Sequence, residues 1–238
     1  YVSRISHRVK NTVSINQLSR GIRLLREIGS WAFQGKGALT FGITSAMVFS
    51  RSREGLSSPD IQLLFTPASY SQTTHGELEK EGGMTVVVCP VRPSSRGTIM
   101  AESSDALIRP LIRPNYLSDP DDIRVMIAGL RQAREILAQP AFKSFSVEET
   151  VPGQMLQSDG ELEKFARDNG SIIYHPVSTC KMGEDPMAVV DSRLKVHGIE
   201  GLRVVDASIM PTVTTGNTNA PTIMIAEKAS DMILEDAK

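Results

Sequence analysis

The sequence contains few cysteines and few aromatic residues. Among its 238 residues there are 2 cysteines, Cys89 and Cys180, and aromatic residues make up 5% of the chain. Two cysteines this far apart can form neither a disulfide framework nor a C-x-x-C zinc pair. We therefore expect two free thiols, a usage that favours a reducing, cytoplasmic compartment.

Sequence motifs of several enzyme classes are also missing. The glycine-rich segment GKGALTFG has neither the GxGxxG nor the GxxxxGK[S/T] spacing of a phosphate-binding loop. A serine hydrolase is disfavoured because no GxSxG elbow occurs. Cys180 follows His175 by five positions, but it lies in a TCKMG turn without the surroundings of a cysteine protease nucleophile. We interpret Cys180 as a structural thiol, and no H-x-x-x-H pair suggests a metal site.

The overall composition is that of an ordinary globular protein. Hydrophobic residues make up 40% of the chain, charged residues 22%, and the net charge is −1, which suits one large domain or two modest ones. No apolar run reaches the roughly 18 residues that a membrane-spanning helix needs, so we expect no membrane span. The first residues, YVSRISHRVK, have neither an initiating Met nor the apolar core of a secretory signal. We expect a piece of a longer protein, which leaves the localisation open.

Basic residues are concentrated in residues 1–53. This stretch has nine Lys and Arg residues, and Glu27 is its one acidic residue. Such a stretch can bind nucleic acid or another anionic partner, and a basic interaction module remains an alternative function. The basic residues are scattered and are not interleaved with stacking aromatics. We therefore favour solvated faces of a strand and a helix, and expect no nucleic-acid partner.

Hydrophobic patterns predict both strands and helices. Strands are predicted over residues 2–13, 46–50 and 61–66. The β-branched run MTVVVCPV predicts a buried strand over 84–91, and the proline-rich stretch after Arg92 contains two strand-like pieces. Helices are predicted from Asn16 to Gly29, over 123–137 after an acidic start, over 158–167, and over 221–235 with Pro221 at its first position. The first helix would turn Leu18, Ile22, Leu25 and Ile28 toward a core. Because no regular βα rhythm occurs, we predict an α+β fold with a mostly antiparallel sheet.

The most specific pattern lies in residues 173–231. A histidine, His175, precedes a Cys/Gly turn, a strand-like LRVVD ends on Asp206, and the asparagine pair of GNTN precedes Pro221. This order resembles the closing stretch of the glucose-methanol-choline (GMC) flavin oxidoreductases. The segments PDIQLLF, RPSSRG, RPLIRPNYLSDPDD and GLRQAREI resemble the substrate domain of the same family. The resemblance covers nearly the whole chain.

The resemblance implies a division of labour along the chain. Residues 1–170 would form a GMC-type substrate-binding domain with an antiparallel sheet and flanking helices. Residues 171–238 would complete the active site and supply the C-terminal strand and helix of an FAD-binding domain. Family members begin with a dinucleotide-binding unit that holds the flavin pyrophosphate, and no such unit occurs here. The missing N-terminal portion of the parent chain is thus an expected partner, with FAD and a small alcohol.

Two residues are the predicted catalytic pair. Hydride transfer from an alcohol carbon needs a base at the hydroxyl, since the neutral alcohol would otherwise become a protonated carbonyl. Histidine, with a pKa near 6.5, suits that task, and the resemblance assigns it to His175 at the end of the strand-like SIIY. The following family position is His or Asn, and we assign it to Asn217, whose neutral amide can hold the substrate oxygen. Asn219 is the close rival, and we predict that it caps the last helix.

The resemblance also assigns cofactor contacts. Asp206 and Ala207, after LRVVD, and Thr218 and Asn219, at the start of the last helix, would contact the flavin. The free N–H groups of that helix start would stabilise the negative charge of a reduced flavin. Asp206 is equally explained as a simple cap. The low aromatic content, with one tryptophan, favours a neutral primary alcohol over a quaternary ammonium substrate. A truncated, non-catalytic homologue that does not bind FAD alone remains the alternative.

Overall fold

The computed structural model describes residues 1–72, 74 and 76–238. These residues form two compact units, the first comprising Tyr1–Pro90 and Ile123–Ser171, and the second Val91–Asp122 and Ile172–Lys238. Helices and a mostly antiparallel sheet are both present, so the predicted α+β class is confirmed. The predicted functional division between residues 170 and 171 stays a prediction. The compact units differ from it by grouping Val91–Asp122 with the C-terminal segment.

The first unit is built on a five-stranded antiparallel sheet. Its strand order is β2-β3-β4-β1-β7, and the second unit has a two-stranded hairpin of β5 and β6. The strands are β1 (Ser3–Val9), β2 (Ala46–Ser50), β3 (Ile61–Thr66), β4 (Gly83–Pro90), β5 (Thr98–Met100), β6 (Leu111–Arg113) and β7 (Ser146–Val151). The predicted strands over 46–50 and 61–66 are confirmed at these bounds. The predicted strand over 2–13 is too long, because the chain leaves the sheet after Val9 and turns through Asn11 with φ 54°.

Six helices accompany these strands in the part of the chain that the structure describes. They are α1 (Ile15–Leu18), α2 (Gly21–Gln34), α3 (Pro120–Leu137), α4 (Pro140–Lys143), α5 (Asp159–Asn169) and α6 (Asn219–Asp236). Short 3-10 turns cover Ala38–Thr40 and Ala207–Ile209. Helix α5 begins with the reciprocal bonds of a capping box, in which Ser158 is the cap and Glu161 returns a bond to it. None of the described helices is long and apolar enough to cross a membrane.

The core of the first unit lies between the sheet and α3. Strand residues Ile61 and Val88 are fully buried, as are Met126 and Leu130 on α3. The helix comes close to the sheet at Gly129, where an added Cβ would collide with a methyl group of Val88. Removing these apolar side chains from water is the main force that holds α3 on the sheet.

The predicted helix from Asn16 to Gly29 is wrong at both ends and in its buried face. Ser14, not Asn16, caps α1 through a capping box with Gln17, while Asn16 is buried and bonds to backbone groups elsewhere. The helical run is broken at Ser19 and Arg20, restarts as α2 at Gly21 and ends at Gly35, whose φ of 62° suits glycine. The expected core stripe is not buried in α2, where Ile22 and Leu25 are 76% and 68% exposed.

The second unit packs α6 against loops and short bridges. Its core consists of Val190, Leu194, Ile209, Met210, Ile225 and Ala229. The predicted strand LRVVD is not a strand in the structure, because its one ladder contact is a bridge between Arg203 and Lys195. At the C-terminal end of α6, Asp236 pairs with Arg193, Lys195 and Arg203 and ties the helix to that bridged segment.

Candidate active site

His175 lies in a loop that bonds to the start of α6. Its Nδ1 is 2.9 Å from the Thr218 hydroxyl, and its Nε2 is 2.7 Å from the Asn217 amide nitrogen. The structure therefore brings together the two predicted catalytic residues, His175 and Asn217. The expectation that His175 projects from a strand end is wrong. In the segment before it, Ser171 makes a single isolated bridge, and Tyr174 has a φ of 61°, which is not an extended conformation.

One contact lies at each nitrogen of the imidazole ring. With the Asn217 amide nitrogen facing Nε2, that amide donates and Nε2 accepts through its lone pair. In the neutral ring the proton then sits on Nδ1 and is donated to the Thr218 hydroxyl oxygen. The Thr218 backbone N–H is 3.5 Å from Nδ1, at the limit of a hydrogen bond, and the shorter hydroxyl contact dominates. The loop thus presents Nε2 as a basic nitrogen.

Thr218 holds the histidine in this orientation. Its residue is 6% exposed, while Asn217 beside it is exposed. A buried hydroxyl acceptor fixes the ring and its tautomer more firmly than a solvent-facing group would. Sequence reasoning gave Thr218 a cofactor contact and missed this role. The available signal was a hydroxyl residue directly after the candidate asparagine.

The start of α6 differs from the prediction at two positions. Thr218 occupies the cap position and Asn219 is the first helical residue, so the prediction that Asn219 caps the helix is wrong. Pro221 is consequently the third residue of the helix and not the first. Proline is tolerated there because first-turn N–H groups have no partner within the helix. The Asn219 side chain is exposed and bonds to no side chain or backbone group among the described residues, which leaves it available to a ligand.

Asp206 and Ala207 lie in a small turn of the same unit. The Asp206 carboxylate accepts a hydrogen bond of 2.7 Å from the Ser208 N–H and caps the 3-10 turn Ala207–Ile209. This is the structural role that the sequence left open for Asp206. The Cys180 N–H donates to the Ser208 carbonyl at 3.0 Å, and this bond joins the turn to the segment that follows His175. Cysteines Cys89 and Cys180 are both free, as predicted.

The donors at the start of α6 suit an anionic, planar group. The first-turn N–H groups of Asn219 and Ala220 have no acceptor within an α-helix, and both residues are exposed. A helix N-terminus carries partial positive charge. The Asn219 amide adds donors and an acceptor beside these N–H groups. This donor set fits the polar edge of a flavin ring. His175 lies beside it, because Nε2 contacts Asn217, two residues before the helix starts.

Comparison with known proteins places the chain in a family. The fold and the site define an α+β protein whose histidine and amide pair lies at the entry to its last helix. A family model described as GMC oxidoreductase matches residues 93–226, a range that includes all six predicted site residues. The chain belongs to the GMC oxidoreductase family, as its sequence predicted.

Two relatives and one solved structure show the extent of the similarity. The chain is 44% identical to an alcohol dehydrogenase [acceptor] of Pseudomonas putida over 206 residues, which are 86% of this chain and 37% of the relative. It is also 44% identical to an oxygen-dependent choline dehydrogenase of Yersinia pseudotuberculosis, covering 85% of this chain and 36% of the relative. A formate oxidase variant of Aspergillus oryzae RIB40, studied for the modification of its FAD, superposes with a TM-score of 0.88 at 26% identity. That superposition covers 99% of this chain and 46% of the oxidase, so the chain spans less than half of each protein.

Proposed function

We propose that the chain is the substrate side of an FAD-dependent oxidoreductase that oxidises the CH–OH group of an alcohol to a carbonyl. The observation that carries the proposal is the contact of 2.7 Å between His175 Nε2 and the exposed Asn217 amide nitrogen. An alcohol hydroxyl that takes the place of the Asn217 amide at Nε2 can donate its proton to that nitrogen, and the released amide can then donate to the alcohol oxygen. Family membership supports the reaction class, because relatives of this chain bear the names of alcohol and choline dehydrogenases.

His175 acts as the base in this proposal. FAD, when bound, supplies the acceptor for the hydride that leaves the carbinol carbon. The hydroxyl proton passes to Nε2 at about the same time, so that no protonated carbonyl forms. The proton on Nδ1 stays with the Thr218 hydroxyl, and the ring becomes an imidazolium whose charge that oxygen helps to stabilise. A base with a pKa near working pH is most effective in such a step.

An asparagine positions the alcohol oxygen. Asn217 is the assigned residue because its amide already contacts the imidazole, so a hydroxyl on Nε2 must lie within its reach. Asn219 is the rival, because its exposed amide bonds to none of the described residues. A neutral amide can hold the oxygen before and during proton transfer without competing for the proton. The two residues differ in what their removal should do, which makes the assignment testable.

The flavin contacts follow the start of α6 and the turn before it. Asn219 and the backbone around Thr218 would bind the ring edge through first-turn N–H groups, which also favour negative charge. Asp206 and Ala207 would contact the cofactor from the turn that Asp206 caps. One Asp206 carboxylate oxygen accepts from the Ser208 N–H and holds that turn in place, which leaves the other oxygen for the cofactor contact.

For the substrate we propose a neutral primary alcohol rather than choline. An aromatic cage for a quaternary ammonium group needs several rings, and aromatic residues make up 5% of the chain.

The second candidate function is a truncated homologue without catalysis.

The test is anaerobic reduction of the full-length protein. The purified protein should carry flavin absorbance, and a linear primary alcohol should bleach it faster than choline does. Secondary alcohols and buffer serve as controls. Faster bleaching by choline would reverse the substrate assignment. A full-length protein without flavin, or with flavin that no alcohol reduces, would contradict the proposed function and favour the non-catalytic homologue.

A further inference from the structure

Helix α2 presents large apolar side chains to solvent. None of its 14 residues is buried. Ile22 and Leu25 are 76% and 68% exposed, Trp31 is 54% exposed, and Phe33 is 90% exposed. Exposed apolar side chains that are concentrated in one segment mark an interaction surface more often than a solvated helix face.

The apolar and basic residues of α2 lie on different sides of the helix. With 3.6 residues per turn, Leu24, Leu25 and Ile28 share one side with Ala32, while Arg23 and Ser30 lie on the opposite side. Arg26 lies next to Ile22 and Phe33, at the border between the two sides. The helix therefore has an apolar face about half its circumference wide, flanked by arginine.

Among the described residues, no acidic side chain forms an ion pair with the arginines of this helix. Arg23 and Arg26 are exposed and make no ion pair with the described residues. Glu27, the one acidic residue of α2, turns its carboxylate to the Ala38 N–H at 2.6 Å. Lys36, just after the helix, is exposed and adds a further positive charge.

We propose that α2 is an interfacial helix that docks the protein on an anionic lipid surface. Ile22, Leu25 and Phe33 would enter the boundary between headgroups and acyl chains, with Arg23 and Arg26 on lipid phosphates. Amphipathic helices with aromatic and aliphatic residues on one face and basic residues on the other bind membranes in this way. The helix, about 21 Å long at 1.5 Å per residue, would lie in the plane of the surface.

Charge and apolar exposure together favour the lipid surface over a second copy of the chain and over nucleic acid. A second copy of the chain would bring the arginines of one α2 close to those of the other, which is unfavourable. Nucleic acid would neutralise the arginines but leave the apolar face in water. An anionic bilayer satisfies both faces at once. This proposal is independent of the alcohol oxidation proposed above.

The experiment measures vesicle binding by the full-length protein. Co-sedimentation is compared for vesicles of phosphatidylcholine alone and of equimolar phosphatidylcholine and phosphatidylglycerol. Binding should require phosphatidylglycerol and should weaken as salt is raised. The double variant Arg23→Gln/Arg26→Gln should lower the partition coefficient roughly thirtyfold, since each basic residue near an anionic surface contributes to binding. The control Arg109→Gln/Arg113→Gln removes the same charge from exposed positions elsewhere and should bind as the wild type does.

Two further variants test the apolar face. Leu25→Ser should lower the partition coefficient by about tenfold or more. The control Leu107→Ser, at a residue 92% exposed, should leave it unchanged. Brominated lipid should quench the fluorescence of Trp31 in the wild type. This quenched component should be missing in Trp31→Phe. Thermal midpoints of all variants are measured to show that folding is intact.

Four results would overturn the proposal. They are the absence of binding to anionic vesicles, equal binding by the arginine double variant, unquenched Trp31, and a dimer that Leu25→Ser dissociates. Unquenched Trp31 in a protein that does not bind would mean that other parts of the full-length chain cover α2. The dimer would mean that a second copy does so.

Discussion

Helix α3 lies close to the sheet at Gly129, and Gly129→Ala tests the packing of the first unit. The new Cβ would meet a Val88 methyl group at a distance that real Cβ atoms do not adopt, with Ile61 Cγ2 at 3.4 Å. Val88 and Ile61 are both 0% exposed, so neither can move aside into solvent. The helix must therefore shift, or Val88 must leave its preferred rotamer.

The magnitude follows from two opposing effects. Overpacking a core costs about 1–3 kcal/mol, and two fully buried neighbours point to the upper half of that range. Replacing a helical glycine with alanine returns about 1 kcal/mol. We therefore expect the free energy of unfolding to fall by about 1–2 kcal/mol. For a protein of this size, each kcal/mol lowers the thermal midpoint by about 2–4 °C.

Urea denaturation with a matched control measures this effect. Gly160→Ala, in α5, adds a methyl group where no heavy atom lies within 4 Å, and it should leave stability unchanged or raise it. Val88→Ala should be less harmful in the Gly129→Ala background than in the wild type, because the collision is then absent. If Gly129→Ala is as stable as the wild type, or the two substitutions are additive, the close approach of α3 to the sheet is not as described.

Three further predictions concern single side chains. Burial raises the pKa of the Cys89 thiol to about 12, so iodoacetamide should label the other, half-buried cysteine first, and equal labelling rates in the native protein would argue against this. A hydrogen bond from Lys195 is the main cause that lowers the pKa of Asp236 from 3.8 to about 2. The ionised carboxylate should therefore stabilise the fold fully above pH 3.8, and this stabilisation should be lost as the pH falls toward 2. In Asp236→Asn the thermal midpoint should depend less on pH over that range. In the full-length enzyme Asn217→Ala should slow flavin reduction by a factor of about a hundred, the effect of one oriented hydrogen bond. Asn219→Ala should mainly change the flavin potential, and a larger kinetic defect at Asn219 with an unchanged potential would reverse the assignment.

Much of the fold was predictable because the strands and the longer helices carry strong local signals. The β-branched run in β4 and the acidic start of α3 determined these elements, and both are found near the predicted bounds. The family resemblance and the α+β class are confirmed. These features rest on local patterns or on motifs that are read directly.

The errors arise where a choice depends on tertiary contacts. The apolar stripe of α2 indicated a core face, but periodicity cannot tell a core from a surface that another partner covers. Around His175, the sequence predicted which residues lie next to the histidine, but not which role each of them has. The bond between the Thr218 hydroxyl and the imidazole was not predicted, while the expected cofactor contact of Thr218 stays a prediction. Asn219 is the first residue of α6 because Thr218 occupies the cap position.

The most direct test of the central claim is the rate of flavin reduction in His175→Ala. The full-length wild type and the variant are mixed anaerobically with the same alcohol in a stopped-flow instrument. Loss of a positioned base should slow reduction by roughly two to four orders of magnitude, with flavin content near normal. His197→Ala is the matched control, because that histidine is in the same unit and its Nε2 bonds to the Gly183 carbonyl at 3.0 Å. A rate within a few-fold of wild type for His175→Ala would show that this histidine is structural, and the proposed chemistry would be wrong.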